Sequence, residues 1–71
     1  MFSIEYKIDG KTSKYGNLYN VPIEDAIDDL LSSYVFKDST EEEIIDALNN
    51  IKIGSYKLFG SSLNQIRVDR C

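Results

Sequence analysis

The chain of 71 residues contains no histidine, and it has a single cysteine and a single proline. Without histidine, the sequence lacks the most common general base and the most common metal ligand. No serine or cysteine can therefore be activated by an imidazole. We expect no enzymatic activity, no cofactor and no bound metal.

The single cysteine, Cys71, can form no internal disulfide and, without histidine, no zinc site. We interpret it as a solvent-facing thiol. The alternative is an intermolecular disulfide, which requires an oxidising compartment.

Long apolar runs are also missing, since the longest contain two or three residues. We therefore expect no membrane-spanning segment. Met1 leads directly into an alternating pattern and not into a basic and then apolar leader. From this pattern and the scarcity of cysteine we expect a cytoplasmic protein.

The composition that remains is typical of a folded domain, with 42% hydrophobic and 28% charged residues. The length allows one domain, residues 1–71. A domain of this size buries only about 60% of its unfolded surface. Its core is thin, and such cores often gain stability from a partner or a second copy.

The first half of the chain changes from a strand period to a helix period. Residues 1–8 alternate, with Phe2, Ile4, Tyr6 and Ile8 on one face, which predicts a half-buried antiparallel strand. Asp9-Gly10 suits a type I′ hairpin turn. A weak edge strand should return through Lys11–Tyr15 and end at Gly16-Asn17.

Two helices are predicted next. Pro22 fits the first turn of the first helix, whose apolar face has helical spacing in Ile23, Ala26, Ile27, Leu30, Leu31 and Tyr34. Thr40 and Glu43 match a capping box, with Ser39 and Glu42 as the alternative register. The second helix should bury Ile44, Ile45, Leu48 and Ile51, and Asn49-Asn50 should end it.

The tail predicts a second hairpin. Ile51–Phe59 is rich in β-branched and aromatic residues and is interrupted by Gly54, which suggests a bulge. After a turn at residues 60–62, Asn64, Ile66 and Val68 alternate with polar residues. The order β-β-α-α-β-β predicts an α+β domain, an antiparallel sheet with two acidic helices on one face.

The charges are segregated along the chain. Residues 20–50 contain nine acids and one lysine, a net charge of −8, whereas the remainder contains three acids and seven bases, a net charge of +4. Acids near a helix N-terminus are favoured by the helix dipole. That effect accounts less well for Asp28, Asp29 and Asp46, which lie deeper in the helices, than for the acids of the first turns, which are Glu24, Asp25, Glu41, Glu42 and Glu43.

One interpretation of these acids is a solvated face that aids solubility. The functional interpretation is a protein-binding module, an inhibitor or adaptor whose acidic helices engage a basic, nucleic-acid-binding protein by mimicking nucleic acid. The expected partner-binding residues are Glu24, Asp25, Asp28, Asp29, Glu42, Glu43 and Asp46. This small, acidic, non-catalytic α+β character resembles phage-encoded inhibitors of host defence or transcription, which implies a basic host protein as partner.

The alternative function is a structural or assembly subunit that self-associates, for example as a homodimer, through an exposed strand and tyrosines. Tyr15 and Tyr19 are the candidate contacts, because tyrosine is enriched at interface hot spots. The competing interpretation is that Leu18 and Tyr19 close the edge of the core. Asp25, Asp28 and Asp29 lack an oxygen-rich loop, so they predict no specific metal site.

Direct nucleic-acid binding is a third hypothesis. Lysines and Arg67 on the predicted strands are interleaved with Tyr6, Tyr15 and Tyr56, as in some sheets that bind single strands. Tyr6 belongs to the buried register, however, and the net charge of the chain is −4. We therefore do not expect direct binding of nucleic acid.

Overall fold

The alternating N-terminal segment forms β1 (Phe2–Ile8), an inner strand of the sheet in the computed structural model, which describes residues 1–71. The other elements, in chain order, are β2 (Lys11–Thr12), β3 (Leu18–Val21), α1 (Ile23–Leu31), α2 (Glu41–Asn49), β4 (Tyr56–Gly60) and β5 (Gln65–Arg70). The strand order is β2-β1-β5-β4, and β3 lies beside β1 on the same edge as β2. Every pairing is antiparallel.

The core lies between one face of this sheet and the two helices. Ile4 is directly opposite Val68 in the register of β1 and β5, so both side chains point to the same face. They are buried in one cluster with Leu30 of α1 and Leu48 of α2. The predicted α+β class, with two helices on one face of an antiparallel sheet, is confirmed.

The first hairpin turn is confirmed, but the return strand was predicted too long. Asp9 and Gly10 have φ angles of 52° and 79°, as a type I′ turn requires. β2 then covers only Lys11–Thr12, and the chain returns to β1 as β3, a strand that the sequence did not predict. The side chain of Asn17 explains the break: its Oδ1 accepts from the Tyr6 amide at 2.9 Å, where a strand would otherwise bond.

The first helix is shorter than its apolar pattern predicted. α1 ends at Leu31, and the hydroxyl of Ser33 donates to the Leu30 carbonyl oxygen at 2.6 Å. The prediction that Tyr34 belongs to the apolar face of this helix is therefore wrong, and its side chain is 77% exposed. Phe36 fills the core beyond the helix end instead.

The second helix begins as the capping box predicted. The Thr40 hydroxyl accepts from the Glu43 amide at 3.2 Å, and the Glu43 carboxylate accepts from the Thr40 amide at 3.1 Å. Ile44 and Leu48 are buried, and Ile51 is buried just after the helix.

The second hairpin is confirmed, although its first strand begins later than predicted. Ile51 and Ile53 lie outside β4, which starts at Tyr56. Gly54, at φ 86°, turns the chain so that its amide donates to the Arg70 carbonyl oxygen. Ile66 and Val68 are buried as predicted, while Asn64 lies in the turn before β5.

Candidate functional site

The acidic residues of the helices lie on the solvent side of the helical layer. α1 buries Ala26, Ile27 and Leu30, which turns Glu24 and Asp28 outward. In α2, Ile44 and Leu48 face the core, so the acids on the other side of this helix are also turned outward. The exposed acids among the predicted partner-binding residues are Glu24, Asp25, Asp28, Glu42, Glu43 and Asp46.

No base neutralises these helical carboxylates. The one ion pair of the structure joins Arg67 to Asp69, at 3.1 Å, within β5. Lys37, the one base of residues 20–50, has its Nζ 4.9 Å from the centre of the Tyr34 ring. The helical layer therefore presents a nearly uniform negative charge to solvent.

Asp29 differs from the other predicted site residues because it is half-buried and faces the sheet. Its carboxylate accepts a hydrogen bond from the phenol of Tyr6. Burial of this phenol, followed by its hydrogen bond to Asp29 and the charge of that carboxylate, raises the pKa of Tyr6 above the ordinary range. The structure thus places Asp29 in an internal contact that ties α1 to β1.

Glu43 also has an internal partner, since its carboxylate completes the capping box with Thr40. A carboxylate held in this way is less free to turn toward another protein. The predicted site residues with no hydrogen-bonded side-chain partner are Glu24, Asp25, Asp28, Glu42 and Asp46, and we define these five as the acidic surface.

The two tyrosine candidates lie beside the β2 and β3 edge of the sheet, and Tyr15 lines a shallow pocket with Asp29 of α1. Tyr15 is in the loop after β2 and is 84% exposed, and Tyr19 on β3 is 60% exposed. Leu18 packs against the core, whereas Tyr19 is exposed. Leu18 therefore closes this edge of the core, and Tyr19 does not.

A groove at one end of the molecule was not anticipated. It has a volume of about 410 Å³, and its apolar wall includes Ile8, Tyr34 and Ile66. These residues come from β1, the segment after α1, and β5. No periodic pattern in the sequence links such distant segments, so only the fold could reveal the groove.

The face of the sheet opposite the helices is open to solvent. Tyr56 and Leu58 of β4 lie on this face because their register partners on β5 are Asp69 and Arg67. The guanidinium carbon of Arg67 is 4.1 Å from the centre of the Tyr56 ring. Arg67 also forms an ion pair with Asp69, so part of the positive charge outside residues 20–50 is neutralised locally.

No three carboxylate or thiol side chains lie close enough together to hold a metal ion. Neither helix has the length and apolar character that a membrane crossing requires. Comparisons with protein-family models, with curated proteins and with solved structures find no match to this chain.

Proposed function

We propose that this protein is a non-enzymatic binding module whose acidic surface engages a basic, nucleic-acid-binding protein. The observation that carries the proposal is the acidic surface itself: five exposed carboxylates on two adjacent helices, none of them in an ion pair. Partner lysines and arginines can therefore approach these carboxylates without displacing an internal base.

The spacing of the acids supports a surface that resembles nucleic acid. Glu24 and Asp28 are four residues apart on α1, as are Glu42 and Asp46 on α2. Side chains at this spacing are about 5–6 Å apart. Repeated negative charge attracts the same clusters of lysine and arginine that bind phosphates, and salt weakens the attraction.

The experiment is capture of basic proteins from a nuclease-treated bacterial lysate on the immobilised protein, with a salt gradient for elution and a DNA duplex as competitor. We expect partners that elute at moderate salt and that the duplex displaces. The variant combining Asp25→Lys, Asp28→Lys, Glu42→Lys and Asp46→Lys should lose them, with its fold checked by circular dichroism. Partners retained equally by the folded variant at low salt would contradict the proposal.

A matched pair of double variants distinguishes binding through the acidic surface from binding through the net charge of the protein alone. Asp28→Asn with Asp46→Asn, and Glu5→Gln with Asp9→Asn, each change the net charge from −4 to −2. Asparagine also tolerates the positive φ of position 9. We expect the Asp28→Asn, Asp46→Asn variant to weaken binding about tenfold or more, and the Glu5→Gln, Asp9→Asn variant to leave it nearly unchanged. Equal effects would assign the binding to net charge.

The inhibitor role and a phage origin belong to the same proposal and stay hypotheses. An inhibitor must reduce the partner's binding to DNA or RNA, whereas an adaptor must leave that binding intact. A fluorescence anisotropy titration of the captured partner with labelled nucleic acid, with and without this protein, separates the two roles.

Self-association through the tyrosine edge is the second candidate function, and the exposure of Tyr15 and Tyr19 favours it. In that case Tyr15→Ala combined with Tyr19→Ala should dissociate the oligomer. An oligomer of unchanged size in gel filtration would count against this candidate.

A further inference from the structure

β4 is an edge strand whose outer main-chain groups can be assigned from the bonds at its two ends. The Arg70 amide donates to the Ser55 carbonyl oxygen at 2.9 Å, and the Ser61 amide donates to the Asn64 carbonyl oxygen at 3.1 Å. Alternate residues of an antiparallel strand direct their N–H and C=O groups to opposite sides. The groups of Tyr56, Leu58 and Gly60 therefore point away from β5.

These outward groups have no partner within the protein. β5 is the one strand paired with β4, and no turn or loop hydrogen bond involves Tyr56, Leu58 or Gly60. β4 contains no proline and pairs with β5 without a register shift, so the protection of this edge is limited to one charged residue, Lys57. The opposite edge is divided between β2, which has two residues, and β3, whose pairing with β1 is irregular.

The sequence of β4 is complementary to itself in one register. An antiparallel pair of two copies centred on Leu58 places Leu58 opposite its own counterpart and Tyr56 opposite Gly60. Tyr56 then covers a glycine on the open face of the sheet, an arrangement that stabilises designed strands. In this register the main-chain groups of Tyr56, Leu58 and Gly60 all find partners.

The remaining side chains fit the same register. Lys57 comes opposite Phe59 of the second copy, and its Nζ is already 5.4 Å from the centre of its own Phe59 ring. A register centred on Lys57 would instead oppose two lysines, which is destabilising, and would leave Gly60 unpaired. A register centred on Phe59 would leave Tyr56 without a partner strand residue, because β4 ends at Gly60. The register centred on Leu58 is therefore the one that pairs all three outward-facing residues without opposing like charges, and its occupant is a second copy of this chain.

We infer that β4 pairs with β4 of a second copy about Leu58, so that the two sheets form one continuous sheet across a homodimer. The twofold axis of such a pair is perpendicular to the sheet, so the helices of both copies lie on the same side. This interface does not depend on the proposed function or on Tyr15 and Tyr19. A five-residue edge buries less than a standard interface, so we expect a dissociation constant on the order of 100 µM.

The test is sedimentation equilibrium of the whole chain from about 10 µM to about 1 mM, in about 0.15 M NaCl, where the screening length of about 8 Å leaves charges that face each other across a strand pair largely unscreened. We expect a concentration-dependent dimer. Leu58→Lys alone and Leu58→Glu alone should each be monomeric, because each opposes like charges at the centre. Leu58 is 46% exposed, so both variants should keep the native circular dichroism spectrum.

An equimolar mixture of Leu58→Lys and Leu58→Glu tests the register. The mixture should restore the dimer, because residue 58 of one copy faces residue 58 of the other only when the pair is centred there. Thr12→Lys, on the opposite edge, is the control and should dimerise normally. A wild-type monomer throughout the range, a dimer that survives Leu58→Lys, or a mixture that stays monomeric would each overturn the inference.

Discussion

At the scale of single residues, the contact between Tyr6 and Asp29 connects two residues for which the sequence predicted unrelated roles. Tyr6 was predicted on the buried face of β1, and Asp29 was predicted to bind a partner. The structure directs the phenol of Tyr6 to the Asp29 carboxylate. Asp29 therefore helps to dock α1 on the sheet, and its place in partner binding stays a prediction.

Tyr6→Phe removes this hydrogen bond, and we expect a loss of about 1 kcal/mol in the free energy of unfolding at pH 7. A bond to a charged group contributes about 1.5–3 kcal/mol, reduced here by partial exposure. The pKa of Tyr6 is raised in the folded state. Its contribution is therefore complete below its unfolded pKa of about 10 and is lost as the pH rises through the folded value.

Urea unfolding of both proteins between about pH 7 and pH 11 checks this sign, because the two stabilities should converge above about pH 10. The exposed Tyr15 provides the control, since Tyr15→Phe should leave the curve unchanged. A difference between wild type and Tyr6→Phe that grows with pH would contradict the assignment.

At the scale of secondary structure, helix starts and tight turns agreed with the sequence better than helix ends and strand lengths did. The capping box at Thr40 and the turn at Asp9-Gly10 depend on residues adjacent in sequence, so local chemistry determines them. The end of α1 and the break after β2 depend on the side chains of Ser33 and Asn17. Serine and asparagine occur in many settings, so neither predicts such a role by itself.

Thr40→Ala tests the cap. We expect a loss of about 1 kcal/mol, because the Glu43 amide would lose its acceptor. In a domain of this size that loss lowers the melting temperature by about 4–8 °C. Ser39→Ala is the matched control: Ser39 belongs to the register that the structure does not use, and its replacement should change stability by less than about 0.5 kcal/mol. Equal losses in thermal unfolding would contradict the observed register.

At the scale of the whole molecule, the helical part of the chain and the remainder carry opposite net charges. The chain from residue 20 to residue 50, which contains both helices, carries a net charge of −8, and the remainder carries +4. No ion pair links the two, so no base relieves the repulsion among the helical acids, and solvent and salt screen it. The same arrangement that could attract a basic partner should therefore reduce the stability of the free protein.

The substitution Asp28→Asn measures how much this repulsion lowers the stability of the free protein. It removes the like-charge pair with Glu24, so we expect a gain of about 0.2–0.5 kcal/mol at low salt. The gain should disappear in about 1 M NaCl, where the screening length is about 3 Å. Urea titrations at the two salt concentrations provide the measurement. Glu5→Gln, opposite Arg67 in the sheet, is the control and should give no gain; a gain from Asp28→Asn that persists in high salt would exclude repulsion as its cause.

The sequence by itself determined the fold class, the main strand and helix segments, and the acidic character of the helices. Each of these follows from periodicity or from neighbouring residues, as in the alternation of β1 or the helical spacing from Ile23 to Leu31. Periodicity identifies the face of an element that turns inward. It also identifies most of the acids that face solvent, since the opposite face of α1 and α2 is apolar, but it does not reveal that Asp29 faces the sheet.

The tertiary structure decided the strand order, the exposure of Tyr34, the internal role of Asp29 and the position of β4 at an edge. These features depend on contacts between distant segments, such as Tyr6 with Asp29 or Phe59 with Phe36. A local pattern contains no information about which strand lies beside another. The edge of β4, with its outward main-chain groups, is therefore a property of the folded chain alone.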